Sequence, residues 1–165
     1  MKKEISFQPI TEAAFGPYGD LLVIKEAPDV LINEGMCGRH HDLAKLDFID
    51  GQAGISLFDA KLRSLPHPIK LVERHPRGSQ AFIPIGQARF LVVVADDDDG
   101  TPVNIQAFEA ESGQAINLHR GIWHGVLAPL EGSGLFAVVD RIGEGNNLEE
   151  YWFDDPYTVV EPLSK

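Results

Sequence analysis

The chain has 165 residues, with 14 lysines and arginines against 25 aspartates and glutamates, a formal charge of −11 and one cysteine, Cys37. That length fits a single domain, residues 1–165, with a core that needs no cross-link, and one cysteine excludes an internal disulfide. The acidic balance repels phosphate backbones and anionic bilayers, so neither nucleic acid nor membrane is an expected partner; with no signal-like N-terminus and no bilayer-spanning apolar run, the expected location is the cytoplasm.

In chain order, Thr11 to Phe15 predicts a short accessory helix capped by Thr11 and stopped by Gly16-Pro17. Gly35 to Arg39 reads as a loop in which Cys37 is an unactivated thiol. From Ile55 the pattern predicts strands at Ile55–Phe58, Ile69–His75, Ala81–Ile85, Arg89–Ala95, Val103–Ala110, Val126–Ala128 and Leu135–Arg141. Turn chemistry separates them, and no long helices intervene, which argues for an antiparallel sandwich or barrel with a few short helices. The run Asp96 to Gly100 lacks the alternating ligands of a calcium loop and reads as a solvated hairpin tip. Trp152-Phe153 lies in an extended C-terminal tail, expected to dock its aromatics on the barrel or on a second subunit.

Two clusters carry chemistry. In the first, strand alternation puts Glu73 and His75 on one face and Arg74 on the other, with Gln80 following across the turn Pro76 to Ser79. The second holds His119, Trp123 and His124. The interior of a small barrel is normally filled by apolar side chains, so inward Glu, His and Gln must be paired, ligated or catalytic. Arg39, Arg74, Arg120 and Arg141 lie in or beside these clusters, although an arginine there is more often one half of a surface ion pair.

These residues resemble the cupin superfamily, whose pattern consists of G-x5-H-x-H-x3,4-E-x6-G and G-x5-P-x-G-x2-H-x3-N, with three His and one Glu binding metal. The second motif runs from Gly113 through Gly121 to His124, with His119 at the Pro position and Ala128 at the Asn. In the first, Glu73 stands at the first His, His75 at the second, Gln80 at the Glu, and His67 and Gln87 at the two Gly positions. A closer resemblance, over nearly the whole chain, is to the ureidoglycolate lyase (ureidoglycolate hydrolase) family. It rests on Phe15 to Asp20, Arg39 to Leu43, Glu73-Arg74-His75-Pro76 with Gln80 to Pro84, His119 through His124, and Asp140-Arg141 with Asn147 to Glu150. The resemblance implies a cupin-like antiparallel β-barrel (a jelly roll, or double-stranded β-helix) and a homodimer that splits ureidoglycolate into glyoxylate and urea in allantoin degradation.

That elimination requires a base, an acid and a carboxylate anchor. Glu73, His75, His119 and His124 are the proton-transfer candidates, and Asp140 either orients a histidine or pairs with an arginine. Arg141 and Arg39 are the anchor candidates, with Arg74 disfavoured by alternation. His40 and His41 point in opposite directions on extended chain, so at most one faces a site, and His41 is the candidate. Gln80 and Trp123 complete the substrate contacts, although Trp123 would equally serve as packing. Two readings of the centre stand side by side. In one, His75, Gln80, His124 and Glu73 hold a divalent transition-metal ion; in the other, hydrogen bonds alone perform the elimination. An amidohydrolase releasing ammonia, a metal-dependent cupin isomerase or oxygenase and a non-catalytic ligand-binding cupin are the rival functions.

Overall fold

The computed structural model describes residues 3–163. Its elements are β1 (Lys3–Ser6), β2 (Gln8–Pro9), α1 (Glu12–Phe15), β3 (Gly19–Leu22), β4 (Val30–Ile32), β5 (Cys37–Arg39), β6 (Gln52–Asp59), β7 (His67–Arg74) and β8 (Gln80–Pro84). There follow β9 (Ala88–Asp98), β10 (Thr101–Ala110), β11 (Ala115–Leu118), β12 (Trp123–His124), β13 (Ala128–Gly132), β14 (Leu135–Ile142) and β15 (Glu149–Val160). One sheet runs β1-β15-β7-β12-β9-β10-β2, with β13 also on β9; a second runs β3-β11-β8-β14-β6; β4 and β5 form a separate pair. All pairings are antiparallel except β1 with β15 and β2 with β10. The result is a cupin-like β-barrel.

Alternation along β9 divides the core in two. Phe90, Val92 and Val94 face the second sheet and pack with Phe82, Ile116, Leu118, Phe136 and Val138, while Leu91, Val93 and Ala95 pack on the opposite side with Val72, Trp123 and Val159. A strand buried on both faces has no polar side, which is why Phe90 to Ala95 is an unbroken apolar run. Phe15 of α1 is fully buried and meets Phe108 edge-on at 5.8 Å, so the helix plugs the first core. Its Thr11 cap accepts from the Ala14 N–H at 3.2 Å.

Several elements depart from expectation. The loop around Cys37 is β5, paired with β4, and Cys37 is exposed on it. The strand expected at Val126–Ala128 begins only at Ala128 and continues to Gly132, with its register broken between Pro129 and Glu131, where proline has no N–H to give the ladder. The C-terminal tail is β15, hydrogen-bonded between β1 and β7, with Tyr151 and Phe153 packed on the second core. Rather than several helices, one is present among the described residues. The Asp-rich tip is a hairpin turn as expected: Asp99 and Gly100 both have positive φ, 49° and 85°, as a type I′ turn requires.

Candidate active site

Neighbouring strands bring Glu73, His75 and His124 together. Glu73 on β7 stands directly across the ladder from His124 on β12, and His75 follows Glu73 by two residues, on the same face. Ligand atoms of the three lie within 4.8 Å of one another. His75 Nε2 is 3.9 Å from Glu73 Oε1, and the two imidazole centroids are 5.3 Å apart. His124 forms the floor, with 2% of its surface exposed, against the ring of Phe82. The His75 and Glu73 side chains keep 17% and 22% exposure, so the cluster opens to solvent on their side. A hollow of about 20 Å³ beside His124, walled by Phe82, Ile116, Leu118 and Leu127, has room for one water.

Hydrogen bonding defines the state of both rings. His75 Nδ1 lies 2.8 Å from the Asn147 carbonyl and His124 Nδ1 lies 3.0 Å from the Gly125 carbonyl. A carbonyl only accepts, so each Nδ1 carries a proton, and the neutral His124 ring presents a lone pair at Nε2. Both Nε2 atoms are buried and have no protein partner. Burial, reinforced by the neighbouring His75, pushes the His124 pKa down to about 3 and keeps its ring neutral. Burial pushes the Glu73 carboxyl up, with Glu150 adding to the effect and His75 opposing it. Two imidazole nitrogens and one carboxylate form a donor set suited to a divalent transition metal, and the orphaned Nε2 atoms fit that use.

The other candidates lie in separate settings. Gln80 shares the inward face of β8 with Phe82; its Nε2 donates to Asp140 Oδ2 at 3.4 Å, and its Oε1 is buried without a protein partner. Asp140 therefore meets Gln80. His119 pairs through Nε2 with Asp20 Oδ1 at 3.0 Å, and Asp20 is also held by Asn117 and the Lys45 N–H, outside the group of three. Burial pushes the Asp20 carboxyl up, but these hydrogen bonds outweigh it and hold its pKa below the usual range. Arg141 donates from Nε to the Ile49 carbonyl at 2.6 Å and from one terminal nitrogen to the carbonyls of Asp50 and Glu144. Arg39 and His41 are exposed, Arg39 at the end of the β4–β5 hairpin and His41 with its backbone N–H on Asp29.

Trp123 faces away from His124, donates to Asp97 Oδ1 at 2.8 Å and lies under the guanidinium of Arg74 at 4.3 Å. Arg74 itself is tied to Glu149 and Asp97. The sequence reading gives no role to Asn147, Asp20 or Asp97, although Asp20 and Asn147 both lie in stretches that carry the family resemblance. Each acts on a residue far away in sequence, so no local spacing marks it.

A barrel of mostly antiparallel strands with one buried histidine, one half-buried histidine and a carboxylate converging at one place defines a cupin-like enzyme. Residues 2–160 match the protein family described as ureidoglycolate lyase. The chain is 56% identical to the ureidoglycolate lyase of Rhodobacter capsulatus over 158 residues, which covers 95% of this chain and 98% of that one. It is 43% identical to ureidoglycolate lyase 2 of Rhizobium meliloti, covering 94% and 96% of the two chains, and 42% identical to the enzyme of Chelativorans sp., covering 97% and 98%. The chain belongs to the ureidoglycolate lyase family, and it is a lyase. No helix among the described residues is long and apolar enough to cross a membrane.

Proposed function

We propose that this protein eliminates urea from ureidoglycolate to give glyoxylate, at the Glu73, His75 and His124 centre. The observation that carries this reading is the convergence of two buried Nε2 atoms without a protein partner and a carboxyl group. In ureidoglycolate one carbon bears a hydroxyl, a ureido nitrogen and a carboxylate. His75 Nε2 takes the hydroxyl proton as the C–O bond becomes C=O. The C–N bond breaks, its electron pair stays on nitrogen, and that nitrogen takes the proton that His75 has just accepted. His75 is thereby returned to its starting state, and the Glu73 carboxylate, 3.9 Å away, stabilises the imidazolium that forms in between. His124, kept neutral by burial, accepts a hydrogen bond that orients the substrate. Glu73, His75 and His124, with Gln80 as a fourth donor, would also hold a divalent transition-metal ion, which when bound supplies Lewis acidity toward the substrate hydroxyl.

Of the two arginines considered for the substrate carboxylate, Arg141 already donates to three carbonyls, whereas Arg39 has no ion pair or side-chain hydrogen bond among the described residues. The anchor is therefore assigned to Arg39. In the same reading the chain acts as one domain, in the cytoplasm, as a homodimer. Ile55 and Leu57, 77% and 66% exposed on the edge strand β6, give a second copy an apolar strip to cover. The test is incubation of the purified protein with ureidoglycolate while urea, ammonia and glyoxylate are measured together. Equal amounts of urea and glyoxylate are expected. Ammonia without urea would reassign the protein as an amidohydrolase, and binding without turnover would make it a ligand-binding cupin.

A further inference from the structure

We propose that Arg63, His67, Lys70 and Trp152 form a second binding site, for a small organic anion with a flat apolar part. The four residues line a groove of about 250 Å³, floored by Ile69 and Leu71. His67 and Glu73 stand at opposite ends of β7, six residues apart and so separated by roughly 20 Å at about 3.3 Å per residue. The groove is therefore distinct from the centre described above.

Three observations carry the proposal. Among the described residues neither Arg63 nor Lys70 has a carboxylate within ion-pair distance, in a chain of formal charge −11 where acidic partners are plentiful. The His67 ring is 8% exposed, makes no hydrogen bond among the described residues, and lines the groove. A ring nitrogen at the groove wall with no protein partner is free to donate to an occupant. Trp152 is 61% exposed and its Nε1 donates to Glu150 at 3.3 Å, which fixes the indole as a flat wall.

The groups are held on rigid backbone. Arg63 donates its N–H to the Pro129 carbonyl at 2.7 Å, His67 pairs with Val159, and Trp152 pairs with Leu71 across the β7–β15 ladder. Burial, together with the charge of Arg63, lowers the His67 pKa, so at neutral pH the ring is an uncharged donor. An anionic group between Arg63 and Lys70 would neutralise both cations and accept the His67 N–H, while a flat part lies on the indole. Glu150 beside the indole disfavours a ligand that carries negative charge at both ends.

The test is titration of the full-length protein with benzoate, followed by tryptophan fluorescence; Trp152 is the exposed indole, whereas Trp123 is buried. A saturable change is expected that weakens about tenfold or more in Arg63→Ala and in Lys70→Ala, each tenfold being one decade in the dissociation constant. Both side chains are exposed, so these variants keep the fold, and lyase turnover should stay unchanged. Inorganic phosphate, charged but without a flat face, should bind at least about tenfold more weakly. A linear response, a saturable one that neither variant alters, or phosphate binding equal to benzoate would each overturn the proposal.

Discussion

At the scale of single residues, burial sets the chemistry. His124 has its Nδ1 on a carbonyl and its Nε2 bare, so it can only accept. His124→Ala should lower kcat by on the order of 10²-fold through lost orientation of the substrate in a protein whose circular dichroism is unchanged, and near-normal turnover would remove it from the site. Arg141 is tied to carbonyls from two segments, so Arg141→Lys, with its single ammonium, should cost about 2 kcal/mol in chemical denaturation. A loss below about 0.5 kcal/mol would mean that water serves those carbonyls equally well. Arg39→Lys should raise KM with little change in kcat, and unaltered kinetics would free Arg39 from the carboxylate. The pairing of Glu73 with His75, and the turning away of Arg74, were legible in the sequence because alternation is a property of one strand. The Asp20 bond to His119 and the Arg141 contacts with the Ile49 and Asp50 carbonyls were not, because their partners are 99, 92 and 91 positions distant.

At the scale of elements, hydrophobic runs announced the central strands and their turns, from β6 through β10 and again at β14. The shorter strands β3, β11 and β12 were invisible, since two to four residues carry no usable period and owe their conformation to neighbours. Strand β12 shows the consequence: two residues bridge β7 and β9, placing Trp123 in one core and His124 in the other. Close approach matters equally for β3. A Cβ on Gly19 would sit 2.1 Å from the Asn117 carbonyl oxygen, which belongs to backbone and cannot swing aside. Gly19→Ala should therefore pry β3 from β11 and destabilise by about 1–3 kcal/mol, read from the denaturation midpoint; an unchanged midpoint would mean that the ladder shifts without strain.

At the scale of the whole molecule, acidity governs stability. Asp20 has a lower pKa folded than in the unfolded chain, where an aspartate titrates near about 4. Its contribution is complete above that unfolded value and is lost as pH falls through the folded one. Asp20→Asn should flatten the acid side of the stability curve between about pH 4 and its lower end, while a curve parallel to wild type would show that Asp20 is not linked to folding. His67 acts in the same direction at higher pH: its folded pKa is lowered, so its stabilisation is present above roughly pH 6.5 and fades below it. The sequence by itself determined an antiparallel sandwich or barrel, the shared face of Glu73 and His75, a hairpin tip within Asp96 to Gly100 and the family likeness that selects the barrel, because each follows from local periodicity, turn chemistry or residue order. Only the tertiary structure decided that His124 completes that pair, that Trp123 turns away from it, and that Gln80 meets Asp140. Those relations depend on which strands lie side by side, and strand order is fixed by burial of two cores over the whole chain rather than by any one segment.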